Sequence, residues 1–190
     1  MQDESMVKEV LSSYEEDLNK AIDHLAGEYQ VIRAGRANPH ILDKVVVEYY
    51  GVPTPLNQMA NINVQEARIL AVNVWDVSQL KNVSKAIQAA DLGVQPTDDG
   101  KVIRLIFPAL TEERRREIVK QVKKLAEETK VTMRNARRDC LDLFKQMKKD
   151  SEISEDEYAG LEEDVQKLQD KYIASCDKES ADKEKEVMEI

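Results

Sequence analysis

The chain has 190 residues, 42% of them hydrophobic, and carries 28 Lys and Arg against 37 Asp and Glu for a net charge of −9. That suits one ordinary domain or two small ones with a real core, and no stretch nears the roughly 18 consecutive apolar residues of a membrane span. The start, MQDESMVKEV, lacks both a signal-peptide apolar region and the Arg-rich, acid-poor character of a transit peptide, so a cytoplasmic protein is expected.

The charge is unevenly distributed. Residues 1–30 carry a net −6, residues 31–111 a net +1, residues 112–149 a net +6 and residues 150–190 a net −10. A basic segment between acidic ends is a local surface that can meet phosphate while the rest keeps the protein soluble and opposes promiscuous polyanion binding. Cys140 and Cys176 both fall on apolar helical positions, which predicts buried free thiols rather than a disulfide or a metal pair.

In chain order, Val7, Leu11, Tyr14, Leu18, Ala21, Leu25, Tyr29 and Ile32 recur at steps of three and four, a narrow helical stripe of the bundle type. The helix should end around Arg33-Ala34-Gly35-Arg36-Ala37-Asn38-Pro39, where Gly35 can turn left-handed and Pro39 forbids continuation. The pattern then changes. Residues 44–50 are β-branched and aromatic, and Gly51-Val52-Pro53-Thr54-Pro55 is expected to be a turn. Residues 68–75 form a second β-like run, with Trp75 expected in the core. A helix follows over about 78–91, with Leu80, Val83, Ala86, Ile87 and Ala90 on its apolar face and Gly93 as its stop. Val94-Gln95-Pro96 reads as a short strand, Asp98-Asp99-Gly100 as a turn and residues 102–106 as a further strand.

Pro108 closes this segment, and Thr111 caps a helix that runs to about Lys149, with Glu112 and Glu113 in its first turn. Its predicted seam is Ile118, Val122, Leu125, Thr129, Met133, Ala136, Cys140, Leu143 and Met147. Beside it lie Arg116, Lys120, Lys123, Lys130, Arg134, Arg137, Arg138, Lys145 and Lys148 on one flank. After a short break, Ser154-Glu155-Asp156-Glu157 forms a capping box, with Ile153 and Tyr158 as its hydrophobic staple. The last helix should bury Tyr158, Leu161, Val165, Leu168, Tyr172 and Cys176, and then fray in its Lys/Glu-rich end.

The short connection makes the last two helices antiparallel, and the first helix supplies the third side. The predicted fold is α+β: an elongated three-helix bundle (1–33 plus 111–190) with a small α+β domain (34–110) inserted between the first and second bundle helices. The chain crosses between them twice, and Gly35, Pro39 and Pro108 mark those crossings as a hinge. One narrow stripe per helix is enough for one core, so a monomer is expected.

Catalytic chemistry is hard to find. His24 and His40 belong to no metal set or triad, Ala34-Gly35-Arg36-Ala37 is no phosphate loop, and no carboxylate pair stands out as acid and base. Tyr49 and Tyr50 read as packing or, less simply, as base-stacking residues. The reading is a protein that is not an enzyme and takes no cofactor or metal. The basic flank is either a solvated helix face or a docking edge for a polyanion. Arg134, Arg137 and Arg138 cluster there, and Arg137 lies about 80° from the centre of the predicted seam. Guanidinium forks bind phosphate bidentately. Alternatively Arg137 lies over the bundle edge and pairs with acid on a neighbouring helix. Periodicity does not separate the two.

Several ordered motifs carry a family resemblance. They are Arg33-Ala34-Gly35-Arg36-Ala37, the run from Val46 through Gly51-Val52-Pro53-Thr54-Pro55-Leu56, Lys85-Ala86-Ile87, Asp91-Leu92-Gly93 and Leu110-Thr111-Glu112-Glu113-Arg114-Arg115. Arg134-Asn135-Ala136-Arg137-Arg138-Asp139, Ile153-Ser154-Glu155-Asp156 and Asp164-Val165-Gln166-Lys167-Leu168 complete the set. Over essentially its whole length the chain resembles the bacterial ribosome recycling factor family. The resemblance implies a three-helix bundle hinged to a small β/α/β domain, resembling transfer RNA in outline. It implies binding to the ribosome after peptide release and, with elongation factor G and its GTP hydrolysis, splitting into subunits. Carried over by motif, Arg33, Arg36, Arg134, Arg137 and Arg138 should face large-subunit ribosomal RNA, and Lys130 is grouped with them. Elongation factor G should push the small domain; neither DNA nor membrane is an expected partner. Ala34 stands where this motif commonly has threonine, so a hydroxyl contact there is absent. A helical adaptor for a protein partner would leave the basic flank unexplained, and a hydrolase in the small domain lacks a nucleophile and base.

Overall fold

The computed structural model describes residues 2–32 and 36–189, the side chains of Gln2 and Asp3 excepted. Its contacts divide the chain into two compact units, one of Met1–Glu28 with Lys120–Lys185 and one of Tyr29–Val119 with Glu186–Ile190. Four α-helices are described: α1 (Gln2–Gln30), α2 (Leu80–Ala89), α3 (Glu112–Lys149) and α4 (Glu155–Met188).

The first unit is a three-helix bundle. The α1 stripe is buried from Tyr14 onward, with Tyr14, Leu18, Ala21 and Leu25 all in the core, while Val7 and Leu11 at its start are half-buried. Along α3 the buried set is Ile118, Val122, Ala126, Thr129, Met133, Cys140, Phe144 and Met147. The predicted seam is therefore displaced by one residue at two points, since Ala126 and Phe144 are buried while Leu125 is half-buried and Leu143 is 56% exposed. Close approach of α4 explains the alanine, because the Cys176 Sγ lies 3.6 Å from the Ala126 carbonyl oxygen. Full burial of a side chain such as Phe144 stabilises by about 1.5–3 kcal/mol.

A Schellman turn ends α3. Glu152 N donates to Met147 O at 2.9 Å and Ser151 N to Lys148 O at 3.1 Å, with Ser151 at φ 61° where glycine is usual. The predicted capping box then starts α4, with Glu157 N donating to Ser154 Oγ at 3.0 Å and Ser154 N to Glu157 Oε2 at 3.2 Å. Ile153 is buried beside it. The two helices run antiparallel, as Lys148 over the Tyr158 ring at 4.6 Å and the Lys130–Asp177 ion pair together require. The end of α4 does not fray. It stays helical to Met188, with Ser180, Lys183 and Val187 buried in turn. Its core also takes Gln169, at 4% exposed, in preference to Leu168.

The second unit carries six strands. β1 (Val46–Tyr49) and β2 (Val52–Pro55) form a two-stranded ribbon, and β3 (Ala60–Glu66), β4 (Ile69–Val74), β5 (Pro96–Asp98) and β6 (Val102–Ile106) form an antiparallel sheet of order β3-β4-β6-β5. Two expectations change. Gly51 to Pro55 is not all turn: Tyr50 and Gly51 alone make it, both at positive φ, and Val52–Pro55 pairs back with Val46 opposite Pro55. Prolines are tolerated there because β2 is an edge strand. β3 has no counterpart in the sequence pattern. Its residues, ANINVQE, are largely polar because one face and one edge meet solvent.

Register aligns Leu70 with Leu105 and Val72 with Ile103 and Ile62, which places one apolar face against Val83 and Ile87 of α2. Val74 ends that alternation, so Trp75 falls on the outside and is 60% exposed rather than in the core. Tyr50 is likewise 74% exposed at the hairpin tip. The short β3–β4 turn receives both chain segments that flank the sheet: Ala37 N donates to Ala67 O and Phe107 N to Arg68 O, each at 2.7 Å.

Candidate nucleic-acid interface

The candidate surface is one flank of α3. Thr111 starts the helix by accepting from Arg114 N with its Oγ1 at 3.1 Å and from Arg115 N with its carbonyl at 2.9 Å. With about 100° per residue and Met133 at zero, the buried residues occupy an arc from roughly 300° to 20°. On the same wheel the basic residues from Lys120 onward, Lys124 excepted, fill about 40° to 160°, with Glu127 the one acid among them; Lys124 lies at about 180° and pairs with Glu128. The acids Glu117, Glu128, Asp139 and Asp142 lie on the remaining side. The helix is thus three-sided, and its basic side stands apart from its acidic one.

Internal pairing divides that side. Lys130 is drawn into the bundle, its side chain only 16% exposed, between Asp177 of α4 and Glu127 at 3.6 Å. The hydrogen bond it donates to Asp177 raises its pKa, more than burial lowers it. Among the described members of the predicted RNA-facing set, Lys130 is therefore the most closely held by protein carboxylates. Arg134 is exposed and has no ion pair among the described residues. Arg138 is 68% exposed with a loose contact of 3.7 Å to the adjacent Asp139. Lys120, Lys123, Lys145 and Lys149 are also exposed and without ion pairs among the described residues.

Arg137 is neither free nor bridged. It is half-buried, and its Nε is sealed from solvent with no hydrogen-bond partner in the structure. No ion pair joins it to an acid among the described residues, so the bridge to a neighbouring helix is not formed. A buried unpaired N–H costs about 1–3 kcal/mol. The guanidinium is therefore not committed to a carboxylate of the bundle.

Sequence reasoning misses the polar contact beside it. Tyr14 is 2% exposed and its hydroxyl donates to Gln169 Oε1 at 2.5 Å. Its place in the apolar stripe says only that it is core, but a buried phenol needs a partner, and that demand is the available signal. Tyr172 similarly donates to Asn19 Oδ1 at 2.9 Å.

Of the remaining predicted residues, Arg36 is exposed, whereas Arg33 and Gly35 lie outside the described residues. Pro39 opens the 3-10 turn Pro39–Leu42, capped by Asn38 Oδ1 accepting from His40 N at 3.0 Å. Pro108 follows the buried Phe107. His24 and His40 are both surface residues, 75% and 53% exposed, beside Glu28 and Asp43. Both cysteines are free and buried, and burial pushes the Cys140 thiol up to about 11. Among the described residues no cluster of His, Cys, Asp and Glu is arranged to hold a metal ion, and no helix is long and apolar enough to cross a membrane.

Comparison with known proteins adds to this geometry. The family model described as ribosome recycling factor matches residues 25–188. The chain is 61% identical over 176 residues to the ribosome-recycling factor of Caldicellulosiruptor bescii, covering 93% of this chain and 96% of that one. It is 54% identical over 185 residues to that of Bacillus subtilis, covering 97% and 100%. Among solved structures, a solution structure of the ribosome recycling factor matches with TM-score 0.80 at 37% identity, covering 97% of this chain and 98% of the other. A Thermus thermophilus ribosome recycling factor, bound with Escherichia coli elongation factor G to the E. coli post-termination complex, matches with TM-score 0.67 at 39% identity, covering 96% and 99%.

Proposed function

Because the chain belongs to the ribosome recycling factor family, we propose that it binds the ribosome after peptide release and, with elongation factor G and GTP hydrolysis, splits it into subunits. The relative placed beside elongation factor G on a post-termination complex supports that choice of partners. The observation that carries the reading is the division of the α3 flank: Arg134 is exposed without an ion pair, and Arg137 holds a buried unpaired Nε.

The large-subunit ribosomal RNA is the polyanion, gripped by Arg33, Arg36, Arg134, Arg137 and Arg138 through charge-assisted contacts to phosphate. The protein does no covalent chemistry of its own; the GTP is hydrolysed by the elongation factor. It works in the cytoplasm as a monomer. The segments around Gly35, Pro39 and Pro108 act as a hinge while the bundle stays on RNA.

The test is a light-scattering assay of post-termination ribosomes. Subunits should separate when this protein, elongation factor G and GTP are all present, and not when any one is left out. Splitting that is unchanged without the protein, or GTP turnover by the protein alone, would overturn the assignment. Affinity for large subunits should also fall with salt, since each phosphate contact releases counterions.

A further inference from the structure

The environment of Arg137 carries an inference that rests on the proposed grip and goes beyond it. Antiparallel pairing sets Lys130 of α3 against Asp177 of α4. One heptad along α3 and one back along α4 bring Arg137 opposite Asp170. A second ion pair is on offer there, and it is not made: Asp170 instead accepts from Gln166 Nε2 at 2.8 Å. Something other than a lack of acid keeps the guanidinium off α4.

The buried phenol of Tyr14 is at this level of the bundle. It lines a groove between α1 and α3 with Ala136 and Cys140, which precede and follow Arg137 in the chain. It thus sits at the same level of α3, although the groove itself opens on the side away from Arg137. Its hydroxyl crosses from α1 to Gln169, the neighbour of Asp170 on α4. Burial and the Cys140 thiol raise the phenol above its usual range, and the charges of Arg137 and Asp170 pull it in opposite directions, so both reach it.

We propose that Tyr14, fixed by Gln169, is a positioning residue for Arg137: it fills the junction of the three helices at the level of Arg137, keeps the guanidinium from pairing with Asp170 and leaves its terminal nitrogens available for phosphate. Without the Tyr14–Gln169 bond the Arg137 stem is free to shift towards α4, and the pair with the exposed Asp170 forms in competition with RNA.

The experiment measures affinity for isolated large ribosomal subunits and melting temperature on one set of variants. Arg137→Ala comes first, as the test of the grip itself; if it binds like the parent, the grip fails and this inference with it. Given a loss there, Tyr14→Phe should weaken binding about three- to ten-fold, a part of the loss caused by Arg137→Ala because it acts only through Arg137. Asp170→Asn should restore most of that loss in the Tyr14→Phe background and change affinity little in the parent. Parent-like binding by Tyr14→Phe overturns the proposal. So does an equal gain from Asp170→Asn in both backgrounds, which would reflect general repulsion of RNA. If Tyr14→Phe does not fold, Gln169→Leu removes the same bond from the other helix and is read in the same way.

Discussion

Lys130 and the Arg134–Arg138 segment are neighbours on one flank of one helix, yet they sit in opposite electrostatic circumstances. Lys130 is pulled inward and held by Asp177 and Glu127. Less than two turns on, Arg134 projects without an ion pair and Arg137 buries an Nε that nothing satisfies. A stripe of cations is therefore not one functional object. Where the facing helix supplies a free carboxylate, the cation braces the bundle. Where no such pair forms, as between Arg137 and Asp170, the cation remains available to a partner.

The largest expected effect is on the available side. Arg137→Ala should lose about ten- to a hundred-fold in large-subunit affinity, the value of a charge-assisted contact of roughly 1.5–3 kcal/mol, and should lower the salt slope by about 0.7–0.9. Arg137→Lys should recover part of that loss, since the charge survives without the fork. Arg137→Met should bind as weakly as alanine yet melt above the parent, because the unpaired Nε is gone and the apolar stem remains. A melting temperature that falls in Arg137→Met would make Arg137 a brace after all and erase the contrast with Lys130.

On the braced side the outcome should be the reverse. Lys130→Ala should keep most of the affinity and cost about 1 kcal/mol of stability, an exposed-to-intermediate ion pair with some lost packing. Because pairing raises the Lys130 pKa in the folded state, its stabilisation is fully present below the unfolded value of about 10.4 and is lost as pH rises through the folded one. The stability difference between parent and Lys130→Ala, measured by denaturant titration at pH 7 and at increasing alkalinity, should shrink only at the alkaline end. A ten-fold affinity loss with unchanged stability would place Lys130 with the arginines.

The smallest effect concerns the turn that sets the register distinguishing the two regions. Ser151 is at φ 61°, a conformation costing a non-glycine residue about 1–2 kcal/mol. Ser151→Gly should relieve that strain, offset by about 0.5–1 kcal/mol of extra chain entropy. Thermal melts should show a net gain below about 1 kcal/mol, with the Lys130–Asp177 pair retained.

Long helices are the most legible part of this chain because their stripes repeat often enough to average out single positions. At single positions the pattern fails in a physical way. Choosing Leu125 over Ala126 follows hydrophobicity, whereas the bundle takes the residue small enough for Cys176 to approach. β3 is hidden by its solvated face, and β2 by prolines that read as a turn until an edge strand is available to hold them. The separation of Lys130 from its arginine neighbours needs the α3–α4 register, which no single-helix wheel contains. It is within reach of the sequence, since reflecting α3 about the 150–154 connection brings Lys130 near Asp177. Tyr14 is legible as core, but its hydrogen-bond demand points to Gln169 only once three helices are in place.

The short turn at Ala67 and Arg68 has a consequence of a different kind. The segments entering and leaving the sheet, at Ala37 and Phe107, are fastened to two consecutive residues of that turn. Some seventy residues are thereby closed into a loop whose ends are tied together by the loop's own backbone. Such a segment demands only two nearby attachment points from whatever carries it, because its loop-closure entropy has been met internally. It is built as an insert, able to change in length and sequence at its far end, around the Tyr50–Gly51 tip, without moving the place where it joins its host.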